Sequence, residues 1–275
     1  MNISLLFSLI LFSAACHKSG SSKEAFFPCD TSKHYKLIWS DEFNYSGLAD
    51  SSKWGYEKGF VRNDEAQYYT VARKENARVE NGMLVIESLK ENFEGASYTS
   101  ASLNTLAKAA FPVNTRVEVR AKIPQGTGIW PAIWMLGTDI TKVDWPKCGE
   151  IDIMEFVGHT PTKIWATFHW LDATKPDSSI HLSLGKNTDY TDLKDNFHVY
   201  GVERTAGKLS FFVDNNYYFS FDTTSTVQKD LFRHPFYILL NTAIGGSWGG
   251  KIDDSIFPQK FYIDWVRVFE IPESK

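Results

Sequence analysis

The run Gly149-Glu150-Ile151-Asp152-Ile153-Met154-Glu155-Phe156 places three carboxylates within six residues of otherwise apolar, β-favouring sequence. In a strand, Glu150 and Asp152 share one face, and Ile151 and Ile153 share the other. Strict alternation would then send Glu155 to the isoleucine side, where an unpaired carboxylate would cost several kcal/mol. One extra residue, a β-bulge near Ile153-Met154, returns Glu155 to the side of Glu150 and Asp152. A helix fits less well, because Pro146 and Gly149 sit just upstream and the first apolar positions are β-branched. Paired carboxylates on a rigid strand suit hydrolysis of a glycosidic bond, one acting on the sugar or on water and the other giving a proton. Three other uses compete: a solvated strand face, a site for a hard cation, and a hydrogen-bond network that stabilises the fold. The surroundings are rich in tryptophan rather than lysine, which favours the carbohydrate reading.

The elements that must hold these carboxylates read as strands. Val117 to Ile123 alternates cleanly between apolar and charged. Leu209 to Val213 and Tyr217 to Phe221 flank Asp214-Asn215-Asn216, a hairpin signal. Further β-rich runs are Met83 to Ser88, Ile164 to Trp170, Phe197 to Glu203, Phe236 to Asn241 and Phe261 to Phe269. Many short strands joined by polar turns imply an all-β sandwich of two packed sheets, with one outer sheet face left for a ligand. In Gly128 to Leu136, Trp130, Ala132 and Trp134 fall on one side, and Ile129, Ile133 and Met135 on the other. The second set reads as core and the first as a tryptophan wall. Pro131 cannot donate to a ladder, so this segment is expected to bulge or to border a cleft. Trp145, Trp170 and Trp248 are candidates for further rings. The glycines around Trp248, in Gly245-Gly246-Ser247-Trp248-Gly249-Gly250, imply unusual dihedrals or a close approach. For each tryptophan taken singly, core packing competes with stacking.

The chain has 275 residues and a net charge of −4, which argues against a nucleic-acid or anionic-membrane partner. Its nine tryptophans suit a ligand with flat apolar faces, such as a sugar. Ile3 to Ala15 is an apolar run too short for a permanent span but suited to the core of a signal peptide. The run ends Ser13-Ala14-Ala15-Cys16 and is followed by a Gly/Ser-rich tether. This resembles a bacterial lipoprotein signal, and an ordinary secretory signal is the competing reading. The resemblance implies residues 1–15 as the signal peptide, Cys16 as the lipidated residue and 16–35 as the tether. It also implies attachment to a membrane through that lipid, in the bacterial cell envelope. Residues 36–275 read as one domain. Cys29 and Cys148 are left, and two cysteines do not decide whether they pair. Cys148 reads as a neighbour of the site rather than a nucleophile.

Gly149 to Glu155 resembles the active-site signature of glycoside hydrolase family 16, in the bulged E-x-D-x-x-E form of laminarinase-like members. Trp39 to Phe43, Asn63 to Thr70, Tyr98 to Ala101, Gly128 to Leu136, Trp145 to Cys148, Ala166 to Trp170, Leu240 to Gly246 and Ile263 to Val268 are similar to other family segments, in the same order. The resemblance implies a curved β-jelly-roll sandwich of two antiparallel sheets whose concave sheet forms the substrate cleft. It implies Glu150 as nucleophile, Glu155 as general acid/base and Asp152 as the residue tuning both. Asn63, Glu65, Trp130, Trp134, Trp145 and His169 fall where the family lines its glucan subsites. Trp170 and Asn241 join them from the matched segments, and Trp248 from the glycine-rich run that follows. The implied activity is retaining endo-hydrolysis of β-1,3- or mixed-linkage β-1,3-1,4-glucan by a monomer that needs no cofactor for catalysis. Another polysaccharide, such as a galactan, and non-catalytic glycan binding are the alternatives. A structural calcium ion on the convex side would be held by Glu42, Asp264 and the Gly82 carbonyl. Two departures stand out: Ser102 replaces an arginine common after Y-T-S-A, and Arg204 stands where tryptophan is frequent.

Overall fold

In the computed structural model, residues 35–172, 174, 180–225 and 231–272 are described. The signal-like run, Cys16, Cys29 and all of the tether except Tyr35 therefore lie outside the described residues. The β-rich runs form strands packed in two sheets, which do not close into a barrel. One sheet has seven strands, all antiparallel, in the order His181–Asp189, Lys163–Leu171, Glu150–Glu155, Ile129–Gly137, Phe236–Ile244, Ser102–Asn104 and Gly55–Tyr56. The other has ten, with Thr115–Lys122, Gln259–Glu270 and Met83–Phe93 running through its centre. One pair in the ten-stranded sheet departs from the antiparallel expectation: Gln67–Tyr69 lies parallel to Ala96–Ser100.

The core fills the space between the sheets, and period-2 alternation decides which side chains enter it. Ile129, Ile133 and Met135 point inward with Ile151, Ile153 and Met154. Trp130, Ala132 and Trp134 belong to separate clusters on the other face of the same sheet. The hairpin at Asp214-Asn215 also forms, both residues having positive φ (50° and 62°), the pairing that a tight two-residue turn requires. Pro131 does not make its own strand bulge. The ladder between Ile129–Gly137 and Phe236–Ile244 keeps one register throughout, with Pro131 opposite Thr242. The irregularity lies instead in the Glu150 strand.

The Arg204 departure concerns the core rather than the cleft. Its side chain is fully buried and donates to the carbonyls of Phe111, Phe232 and His234. The guanidinium lies against the Phe236 ring, 4.5 Å from its centroid. Three carbonyls at the ends of loops thus find a partner that an indole could not supply in that number.

Candidate active site

The bulge falls where the carboxylate spacing requires it. Toward Ile129–Gly137, Asp152 pairs with Trp134 and Met154 with Ile133, so Ile153 is the extra residue. Toward Lys163–Leu171, Asp152 pairs with Thr167 and Glu155 with Trp165, leaving two residues opposite Ala166. Glu150, Asp152 and Glu155 therefore share one face, while Ile151, Ile153 and Met154 all remain in the core. A cleft of about 630 Å³ lies over that face. The size is right for a few sugar rings rather than a single small molecule.

Each carboxylate has a named neighbour. The Trp130 indole Nε1 donates to Glu155 Oε1 at 3.1 Å. His169, the cross-strand partner of Glu150, brings Nε2 to 3.0 Å from Asp152 Oδ2 and 3.6 Å from Glu150 Oε1. Its other nitrogen, Nδ1, is 2.7 Å from His181 Nε2. One of these two imidazoles must donate to the other, which fixes the orientation of the His169 ring. Burial raises the pKa of all three acids, and they also repel one another. Glu150 is pushed up to about 8, first by burial and then by the Asp152 charge, with His169 and Arg62 pulling it back. Asp152 is raised by burial. Glu155 is raised well above the carboxylate range by burial, then by Asp152 and Glu150. The cluster cannot hold three full negative charges near neutrality, so it retains protons.

A second network holds the far side. Trp134 Nε1 donates to Asn241 Oδ1 (2.8 Å), and Asn241 Nδ2 donates to the Tyr69 hydroxyl (2.9 Å). That hydroxyl donates to Glu65 Oε2 (3.1 Å), which also accepts from Gln67 Nε2 (2.7 Å). Asn63 Nδ2 donates to the other Glu65 oxygen at 3.2 Å. The glycine loop around Trp248 docks on this segment, with Ser247 N–H donating to the Asn63 carbonyl (2.8 Å). Gly246 has φ 74°, and a Cβ there would stand 2.8 Å from that same carbonyl, so both dihedral and proximity call for glycine. Trp248 then meets Trp130 edge-on, with centroids 5.4 Å apart.

The profile described as "Glycosyl hydrolases family 16" matches residues 64–267. The chain belongs to glycoside hydrolase family 16. It is 41% identical to a β-glucanase of Rhodothermus marinus over 92% of this chain and 90% of that protein. The laminarinase structure from the same organism superposes with a TM-score of 0.81 at 40% identity, covering 88% of this chain and 99% of that one. An endo-β-1,3-glucanase from Pyrococcus furiosus gives 0.78 at 36% identity, covering 89% and 97%. The fold is thus the family's jelly roll.

In this family 16 hydrolase the cleft is lined by Asn63, Glu65, Trp130, Trp134, Trp145, His169, Asn241 and Trp248, together with the three acids. Trp170 is a correction. It neighbours His169 in the same strand and so points to the opposite face, stacked on Phe168 (4.9 Å, 14°) against the core. The tryptophan wall also needs amending: Trp130 and Trp134 are 9% and 6% exposed, whereas Trp145 is 45% exposed and offers the open ring. The calcium set does not fit an ion in this arrangement. Arg267 takes both Glu42 oxygens (2.9 and 2.8 Å), and Arg120 takes Asp264 Oδ2 (2.6 Å), so each carboxylate already faces a guanidinium. Among the described residues, the group whose donors could converge on a metal is Glu150, Asp152 and His169, within 4.8 Å of one another. Cys148 is a buried free thiol, and burial raises its pKa to about 12, which fits an inert neighbour of the site.

The cleft also contains Glu57, Arg62, Trp165, Thr167, His181 and Tyr237, none of which the sequence motifs single out. Trp165 and Thr167 were accessible by alternation from His169 within one strand. His181 was not, because His181–Asp189 is a polar edge strand with no apolar period to set its register.

Proposed function

We propose that this hydrolase cleaves internal bonds of β-1,3-glucan or mixed-linkage β-1,3-1,4-glucan with retention at the anomeric carbon. The observation that carries the reading is the bulge, which sets Glu150, Asp152 and Glu155 on one cleft face in a family 16 chain. Glu150 attacks the anomeric carbon while protonated Glu155 gives its proton to the leaving oxygen. Water then attacks the glycosyl-enzyme ester, with Glu155 now taking a proton. The surroundings support this division of labour. His169 Nε2 lies 3.6 Å from Glu150 Oε1, within reach of the carboxylate. Glu155 is raised well above the carboxylate range by burial and by the Asp152 and Glu150 charges, and it is held by one indole N–H, an arrangement suited to a proton donor. Asp152 sits between them and receives the His169 contact. The fixed donors and rings of the cleft are mostly neutral, which suits glucosyl units better than sulfated galactans.

Product analysis on laminarin, lichenan, barley β-glucan and agarose, with and without a chelator, tests the reading. Ladders of oligosaccharides from a β-glucan, with the β-anomer formed first by NMR, are the expected result. Activity confined to agarose, or lost with the chelator, overturns it. We also propose that Cys16 carries a lipid that anchors a monomer in the cell envelope. The support is the Ser13-Ala14-Ala15-Cys16 run and the tether; no helix among the described residues is long and apolar enough to cross a membrane. Cys16→Ser should then move the protein from the membrane fraction to the soluble one, and a wild-type protein without an acyl group refutes the anchor.

A further inference from the structure

Arg62 lies in the loop just before Asn63, with its guanidinium carbon 4.9 Å from the centre of the Trp134 ring. Its side chain remains 24% exposed and lines the cleft. Nη2 is held by Glu57 Oε1, while the second Glu57 oxygen accepts from Ser102 Oγ at 2.6 Å. Nη1 is buried and has no hydrogen-bond partner among the described residues. The serine at 102 is small enough to leave Glu57 to Arg62, and its hydroxyl helps aim the carboxylate. Trp134 is pinned at its N–H by Asn241, packed in one apolar cluster with Ala132, Leu136 and Tyr237, and approached on a face by the guanidinium, and it is 6% exposed. An indole so placed has little open face for a sugar ring.

The geometry points to Arg62 as a specificity-determining residue: the sugar unit that binds beside Trp134 is held by hydrogen bonds from the guanidinium to its hydroxyls, in place of stacking on the indole. The inference rests on the β-glucan reading above and deepens it. A guanidinium presents its donors in one rigid plane, and Glu57 and the Trp134 ring here fix that plane before substrate arrives. The charge also reaches Glu150, whose ionised form it favours.

Steady-state kinetics on a β-1,3-linked glucotetraose tests this with wild type, R62K, R62A and the double variant R62A/E57Q, each at its own pH optimum. The double variant removes both charges, so no unpaired carboxylate is left to unfold the loop. A lost hydrogen bond from a charged donor should raise KM by about tenfold or more in R62A and R62A/E57Q, with kcat changed far less. R62K, with a point charge and no fork, should recover part of that loss. A wild-type KM in R62A/E57Q overturns the inference, because Arg62 would then serve merely as the counter-ion of Glu57. A wild type inactive on every β-glucan overturns the hydrolysis reading and the inference with it, whereas an active wild type with an unchanged double variant overturns this inference alone.

Discussion

Among the described residues, one cluster of buried charge in each sheet can be set side by side, and the two are built in opposite ways. In the ten-stranded sheet, Arg116 stands between Glu203 (Nη1 to Oε1, 2.9 Å) and Glu118 (Nε to Oε1, 2.6 Å). Tyr217 and Tyr35 both donate to Glu203, and Arg116 packs on the Phe212 ring at 3.9 Å. Each acid there has the Arg116 guanidinium in contact, and Glu203 also accepts from two tyrosine hydroxyls. In the seven-stranded sheet, three carboxylates crowd one face with a histidine and, farther off, Arg62 to offset them. Burial alone therefore does not mark a functional acid. What separates the clusters is compensation: the first is neutralised locally, while the second is short of positive charge and holds protons instead.

The contrast predicts opposite outcomes from removing one acid in each. Glu150→Ala should lower kcat by roughly four orders of magnitude or more, since the covalent route disappears. Its melting temperature should not fall, because a buried like charge has been taken away. Azide should restore part of the turnover and yield the α-glycosyl azide. Near-normal activity without azide removes Glu150 from the role of nucleophile. Glu203→Ala should do the reverse, costing about 3–5 kcal/mol of stability because Arg116 is left buried and without that partner. At temperatures where the variant stays folded, its kcat/KM should match wild type. A denaturation midpoint unchanged from wild type would show that the network contributes nothing net.

The pH dependence of stability separates the clusters more gently. Glu150 has a folded pKa of about 8, above the ordinary carboxylate value. Its contribution to stability is therefore fully present below the unfolded pKa and is lost as pH rises through the folded one. Wild type should lose stability relative to Glu150→Gln between about pH 5 and pH 8, by about 1 kcal/mol or more. The rate should follow a bell, its acidic limb at about pH 8 reporting ionisation of the nucleophile and its alkaline limb, at higher pH, the proton on Glu155. In Glu155→Gln the alkaline limb should flatten. A stability difference that stays constant with pH, measured by urea melts, contradicts the raised pKa.

How far these clusters were legible in the sequence depends on whether a rule of period 2 could reach them. Alternation plus the cost of a stranded carboxylate was enough to place the bulge at Ile153-Met154 and to sort Trp130, Ala132 and Trp134 from Ile129, Ile133 and Met135. The same rule excludes Trp170 from the cleft once His169 is in it, and the aromatic character of Trp170 was a poorer guide than its parity. Arg62 and Glu57 lie in a loop, where no period applies, and they meet Trp134 and Ser102 through tertiary packing alone. The arginines on Glu42 and Asp264 are equally remote in sequence from the acids they contact.

The smallest expected effects come from the two tryptophans of one strand, and they isolate the parity argument. Trp165 and Trp170 both belong to Lys163–Leu171, five positions apart and so on opposite faces. Trp165 lines the cleft and meets Trp248 edge-on at 5.9 Å. Trp170 lies in a stack with Phe168 and Phe221, at 4.9 and 6.2 Å. Trp165→Phe keeps a ring but withdraws contact area from the substrate, so KM should rise a few-fold, the equivalent of about 0.5–1.5 kcal/mol, with stability nearly unchanged. Trp170→Phe keeps the aromatic stack but shrinks it, so stability should fall by about 1–1.5 kcal/mol with KM unaltered. Urea melts and steady-state kinetics on the same two proteins read both quantities. If Trp170→Phe raised KM as much as Trp165→Phe, the cleft would extend to a face that alternation assigns to the core. The register of that strand against Glu150–Glu155, and with it the pairing of His169 with Glu150, would then be wrong.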